Sequence, residues 1–182
     1  MRVSKYCSKL HVSRLVERTR NTGTKNVQVN SINYQFLEKL PDEVTTYKSV
    51  DSAMNQDDAV NYPVEFLNSM EPPGMPPHCL NLKVGSSIIL LRNLNTPKLC
   101  NGTRLAVKKL MANLVEATIL TGKAKGEIVL IPRIPLIKTD MTFEFKRLQF
   151  PVRLAFAMSV NKAREFGGAV LFARTAIRGL FK

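Results

Sequence analysis

The chain has 182 residues, 45% of them apolar, enough for one ordinary domain or two small ones with a packed core. It carries 27 Lys and Arg against 14 Asp and Glu, a formal charge of +13, which favours a polyanionic partner over a merely solvated lysine-rich surface, nucleic acid ahead of an anionic membrane. Three scattered cysteines (Cys7, Cys79 and Cys100) do not make a disulfide framework and fit a reducing compartment, and no segment reaches the roughly 18 apolar residues of a membrane-spanning helix.

The charge is unevenly placed. Residues 1–25 hold seven basic side chains against Glu17 alone, residues 41–78 hold seven acidic ones against Lys48, and residues 83–182 carry 18 basic and 5 acidic. The N-terminal stretch lacks the apolar centre of a secretory signal. Its basic, acid-poor composition is one that mitochondrial presequences share, although a surface helix is the simpler account. Val3, Cys7 and Leu10 fall on one helical face, which predicts a helix over 3–19. A second helix starts near Asn26, with Val29, Ile32, Phe36, Leu37 and Leu40 as its apolar stripe, and Pro41-Asp42 stops it. Residues 44–50 alternate weakly as a strand, and the polar, acidic run 51–61 reads as an exposed loop. Pro63 opens a short helix with Phe66, Leu67 and Met70 on one face, and the Pro-rich run 72–77 is a rigid connector and the best domain border.

Beyond that border the pattern is mostly β. Candidate strands are 79–84, 87–92, 103–110, 113–120, 127–133, 143–147 and 152–158, with turn signals at Asn101-Gly102 and over 121–126. Strands this short and close suggest a small closed barrel. Pro132 and Pro135 mark an edge or a strand end. A short helix capped by Ser159 follows, ended by Gly167-Gly168, and then the apolar-to-basic run 169–174. Arg92, Lys98, Arg104, Lys108, Lys109, Lys123 and Lys125 are spaced to line a groove for a phosphate backbone. Stacking platforms are harder to find. There is no Trp, and Phe143, Phe145, Phe150 and Phe156 suit a core as well as a surface. Cys7 with His11, and His78 with Cys79, offer metal-ligand types without a Cys-x-x-Cys pair, so the expectation is no metal site and incidental thiols.

Several stretches in order, LKVGSSIILLRNLN, LCNGTRL, GEIVLIPRIPL and FKRLQFPVRLAFAMSVNKA, together with the earlier NVQVNSINYQFLEKLP and YKSVDSA, resemble the C-terminal portion of Pif-type DNA helicases, including those of Helitron transposons. The likeness runs from about Lys25 to Ala163. It implies α/β plus all-β architecture: part of the second RecA-like motor domain, interrupted by a small Src-homology-like β-barrel. Mapped onto the chain, the RecA-like part is 1–78 and 148–182, and the barrel is 79–147. The family's activity is 5′-to-3′ DNA unwinding with ATP and magnesium, in repair, recombination, telomere maintenance or transposition. The implied partners are single-stranded or forked DNA and the missing N-terminal motor domain, with no membrane, and the implied location is the nucleus, with the mitochondrion as alternative. The family motif resembling INKSQGQ falls on 160–166, where Asn161 and Lys162 match and Ala163, Arg164, Glu165 and Phe166 depart. Arg174 is the nearest match to the family's arginine finger. The implied nucleic-acid-binding set is Arg92, Lys98, Asn101, Arg104, Lys108, Asn161 and Lys162.

No G-x-x-x-x-G-K-[ST] occurs anywhere in the chain, and no apolar strand ending in paired acids precedes the family-like region. The expectation is therefore a helicase C-terminal piece, inactive as an ATPase alone and needing no cofactor by itself. A non-enzymatic single-strand-binding module and a decayed transposon remnant are the alternatives.

Overall fold

The computed structural model describes residues 26–55, 61–139 and 143–157. Leu37–Ala155 forms one compact unit, and the described residues 26–36 and 156–157 belong to another. The expected helices over 3–19 and after Ser159, and the residues Asn161, Lys162 and Arg174, lie outside the described residues. No described helix is long and apolar enough to cross a membrane.

Helix α1 spans Asn26–Glu38, as its apolar stripe predicts. In the flanking unit its Asn33 side chain makes a two-way bond with Ala157, accepting from the backbone N–H (2.8 Å) and donating to the carbonyl (3.3 Å), and Phe36 stacks on Phe156 with centroids 5.9 Å apart.

The larger unit is almost entirely antiparallel β. Its strands are β1 Thr45–Lys48, β2 Val50–Ala53, β3 Cys79–Leu82, β4 Ser87–Leu90, β5 Arg104–Leu110, β6 Leu114–Ile119, β7 Ile128–Pro132, β8 Ile134–Lys138, β9 Phe145–Gln149 and β10 Val152–Leu154. They form a five-stranded sheet in the order β10-β4-β5-β6-β7, a three-stranded sheet β2-β9-β8 and the pair β1-β3. Helix α2, Val64–Ser69, starts directly after Pro63, where a missing N–H costs nothing. Alternation buries one face of β6: Val115, Ala117 and Ile119 point inward, and the intervening residues do not. With Tyr47, Leu80, Leu82, Ile88, Leu90, Leu105, Val107, Ile131, Phe150 and Val152 they make the main core. A second core gathers Leu67, Met75, Leu136, Phe143 and Phe145.

The unit Leu37–Ala155 spans positions 78/79 and 147/148, with β1 pairing with β3 and β2 with β9. Two expectations change. The run 51–61 is not simply an exposed loop, since β2 takes up Val50–Ala53 and Asp51 is buried. The strand β8 was hidden by its prolines. Pro132 and Pro135 do mark edges, because β7 and β8 are each the outer strand of a sheet, where a missing N–H breaks no ladder.

A buried ion pair explains why Asp51 is inside. The Arg147 Nε donates to both Asp51 carboxylate oxygens (3.0 Å each) and Nη2 donates to Oδ2 (2.6 Å), with both side chains fully buried. The other guanidinium N–H groups donate to the carbonyls of Leu67 (2.9 Å), Met70 (3.1 Å) and Pro76 (3.0 Å). One side chain on β9 therefore ties together β2, helix α2 and the Pro-rich connector. Asp51 also accepts from the Ser49 hydroxyl (2.7 Å), which in turn accepts from His78 Nδ1 (2.8 Å) once its own proton is committed to the carboxylate.

Where β7 passes into β8, Arg133 lies over the rings of Tyr47 (5.5 Å) and Phe150 (5.2 Å) and donates to the Lys48 carbonyl (3.1 Å). The Tyr47 hydroxyl donates to the Met111 carbonyl (2.9 Å). Burial raises the Tyr47 pKa above its ordinary value, and the Arg133 charge offsets part of that rise. The folded state thus holds the phenol proton more tightly than the unfolded chain. This share of stability is complete below the unfolded phenol pKa of about 10 and is lost as pH rises through the folded value. Tyr47→Phe should cost about 1 kcal/mol at neutral pH for the lost bond. It should also flatten the alkaline fall in urea midpoint, and a fall as steep as wild type's would contradict the assignment.

Candidate nucleic-acid interface

Strand direction alternates across the five-stranded sheet, so the β4–β5 and β6–β7 loops emerge at the same end. The β4–β5 loop is held by its own backbone and side chains. The Leu94 N–H donates to the Leu99 carbonyl (2.9 Å), the Leu99 N–H donates back to Asn95 (2.6 Å), and the Asn93 side chain accepts from the Asn101 N–H (2.7 Å). Leu99 is buried beneath it as an anchor. At Gly102 the φ of 88° is one that a side chain resists, which is why the Asn-Gly signal marks the return into β5. Arg92, Lys98 and Asn101 are left exposed on this frame.

The β6–β7 loop exposes Lys123 and Lys125. Lys98 Nζ meets Glu127 Oε2 at 2.8 Å and links the two loops. Both partners are about half exposed, so the pair contributes no more than about 1 kcal/mol. Among the described residues this end holds Arg92, Lys98, Lys123 and Lys125 against Glu127, a net of +3 (four minus one).

The other expected residues are elsewhere. Arg104 is only 6% exposed, and its Nη2 donates to Ser87 Oγ (3.2 Å) and the Ala155 carbonyl (3.1 Å). Burial lowers its pKa from the ordinary value, as drawing a cation out of water must. It braces β5 against β4 and the residue following β10 instead of facing solvent. Lys108 and Lys109 lie toward the opposite end of β5, roughly 13 Å along the strand from Arg104. A register shift between Val107 and Lys109 lets both face outward, and Lys108 approaches Glu116 at 3.7 Å. Lys83 is buried, donating to the Leu40 carbonyl (2.9 Å) and at 3.5 Å to that of Glu38. Phe143, Phe145 and Phe150 are core residues and offer no stacking face.

The structure thus separates the expected groove into a cationic loop end (Arg92, Lys98, Asn101, Lys123, Lys125), a distant pair (Lys108, Lys109) and an internal brace (Arg104). Among the described residues no three His, Cys, Asp or Glu side chains come together to hold a metal ion. With no phosphate-binding loop motif in the sequence, the described residues do not fit ATP and magnesium.

Residues 65–110 match the family model described as DNA helicase Pif1, 2B domain. No curated protein sequence matches the chain. Among solved structures, the Pif1 helicase from Candida albicans is 22% identical with a TM-score of 0.58, over 77% of this chain and 35% of that one. Unliganded Pif1 from Bacteroides sp is 20% identical with a TM-score of 0.54, over 78% of this chain and 41% of that one. Bacteroides Pif1 bound to ssDNA is 20% identical with a TM-score of 0.56, over 77% and 30%. The chain spans about a third of the length of these helicases. In the order of its motifs, in its 2B-domain segment and in its fold, the chain is similar to the C-terminal portion of Pif1-type helicases.

Proposed function

We propose that the chain is the DNA-engaging C-terminal part of a Pif1-type motor, consisting of part of a second RecA-like domain with a Src-homology-like barrel. The observation that carries this is the 2B-domain segment ending in a sheet whose two adjacent loops present a net +3 end. That end is chemically suited to the phosphates of single-stranded or forked DNA, and solved relatives are described in complex with ssDNA and at forked dsDNA. The phosphate-binding loop and magnesium site of such a motor would come from an N-terminal motor domain supplied by a longer product or a second chain. Repair, recombination, telomere maintenance and Helitron transposition are all settings for such a motor.

The test is anisotropy of a labelled single strand titrated with the 182-residue protein at several salt concentrations. Neutralising about three phosphates gives a slope of log K against log salt near −2, with little sequence dependence. A binding constant indifferent to salt would sink the reading. The same preparation should release no phosphate from ATP with or without DNA, and DNA-stimulated release would overturn the two-part motor. The net +3 loop end, which needs no nucleotide to meet phosphates, is also compatible with a second reading, a single-strand-binding module that works without any motor. It predicts the same salt slope and no stimulation when an N-terminal motor domain is added.

A further inference from the structure

Strand β7 is an outer strand of the five-stranded sheet, and among the described residues no strand pairs with its far edge. The Ile119 N–H donates to the Glu127 carbonyl (2.9 Å), which places Glu127, and by the two-residue period Val129 and Ile131, in the positions that bond to β6. The N–H and C=O groups of Ile128 and Leu130 therefore point away from β6, to the open edge. The same two residues carry their side chains on the outer face of the sheet, each 54% exposed, while Ile131 is fully buried beneath. Natural edges are usually blunted by a charge, a bulge or a proline in mid-strand. Here the run Ile128–Ile131 has none, and Pro132 comes only at its end.

The approach to this edge is cationic. Lys123 and Lys125 lie in the loop that feeds β7, both exposed, with no ion pair to either among the described residues. We infer that β7 is a docking edge for an extended peptide segment with alternating apolar residues and a carboxylate-bearing C-terminal end. Running antiparallel to β7, such a segment completes the ladder at Ile128 and Leu130 and rests alternate apolar side chains on theirs. Its acidic end then lies beside Lys123 and Lys125. The formal charge of +13 opposes a second copy of the chain as occupant, and a nucleic acid has no use for an open backbone ladder flanked by two aliphatic side chains.

The probe is a labelled short peptide with valine at alternate positions and two C-terminal glutamates, tested on the full chain without DNA. The comparison is the same peptide with lysines in place of the glutamates. The acidic peptide should bind at least tenfold more tightly and shift the backbone amide signals of Ile128 and Leu130. Leu130→Pro removes the outward N–H from an edge position and leaves the β6 side of the ladder intact, so it should abolish binding while ssDNA affinity and the urea midpoint stay near wild type. Should that variant unfold, Leu130→Lys gives the same reading by blocking the apolar face. Equal affinity for the two peptides, or binding that shifts the lysine loop but survives both substitutions, would overturn the proposal. So would concentration-dependent self-association of the chain through β7 in sedimentation.

Discussion

Asp51→Ala should destabilise the larger unit by about 3–5 kcal/mol, the cost of leaving a buried cation without its counter-charge. In the native protein all five N–H groups of Arg147 are used, with the carboxylate taking the Nε and one Nη2 proton and three carbonyls taking the rest. Removing the carboxylate leaves the guanidinium in place, held by Leu67, Met70 and Pro76, but no longer neutralised. A loss of that size lowers the thermal midpoint by roughly 10–20 °C for a unit of this length. Arg147→Lys should fall in the same range, because an ammonium cannot reproduce the fork that reaches Asp51 and the three carbonyls together. Asp51→Ala combined with Arg147→Met should be more stable than Asp51→Ala alone, since the uncompensated charge goes with the arginine. Urea unfolding followed by circular dichroism measures all three. If Asp51→Ala lies within about 1 kcal/mol of wild type, the pair is not a structural tie.

That ion pair also shows what a linear sequence hides. Asp51 and Arg147 are 96 positions apart, and nothing in the local sequence separates Asp51 from Asp42, Glu43, Glu65 and Glu71, which face water. The run that follows it to residue 61 is largely polar and acidic, so the local pattern argues for a loop, and pairing with β9 makes Val50–Ala53 a strand. Where the signal is local, the sequence reading carries through. The strands expected over 87–92 and 113–120 and the short helix opened by Pro63 appear there as β4, β6 and α2. The cationic site was only half legible. Arg92, Lys98, Lys123 and Lys125 follow from lying in turn-forming loops, where side chains face solvent. Arg104 looks the same by composition and spacing, yet it opens β5, two residues after the Asn-Gly turn, in register with Ile89 of β4. Its inward direction depends on Ser87 and Ala155, partners that no local pattern announces.

Arg104 therefore serves as the control for the second large effect, reversal of the cationic loop end. Changing Arg92, Lys123 and Lys125 together to Glu should weaken binding of a labelled single strand by roughly a hundredfold at low salt, and the slope of log K against log salt should become shallower by about 2. None of the three has a bond or ion pair to another described side chain, so the urea midpoint should stay close to wild type. Lys98 is left alone because Glu127 already compensates it, and its loss would unlink the loops. Lys108→Glu with Lys109→Glu tests the opposite end of β5, where Glu116 already offsets one charge, and should weaken binding only a few-fold. Arg104→Gln should do the reverse of the loop variant. It removes a buried brace, lowering the urea midpoint, and leaves the salt slope of the remaining folded protein unchanged. The reading fails if the β5 pair costs more affinity than the loop triple, or if Arg104→Gln alone flattens the salt slope. Either outcome would place the phosphates on the sheet instead of on the two loops that Lys98 and Glu127 hold together.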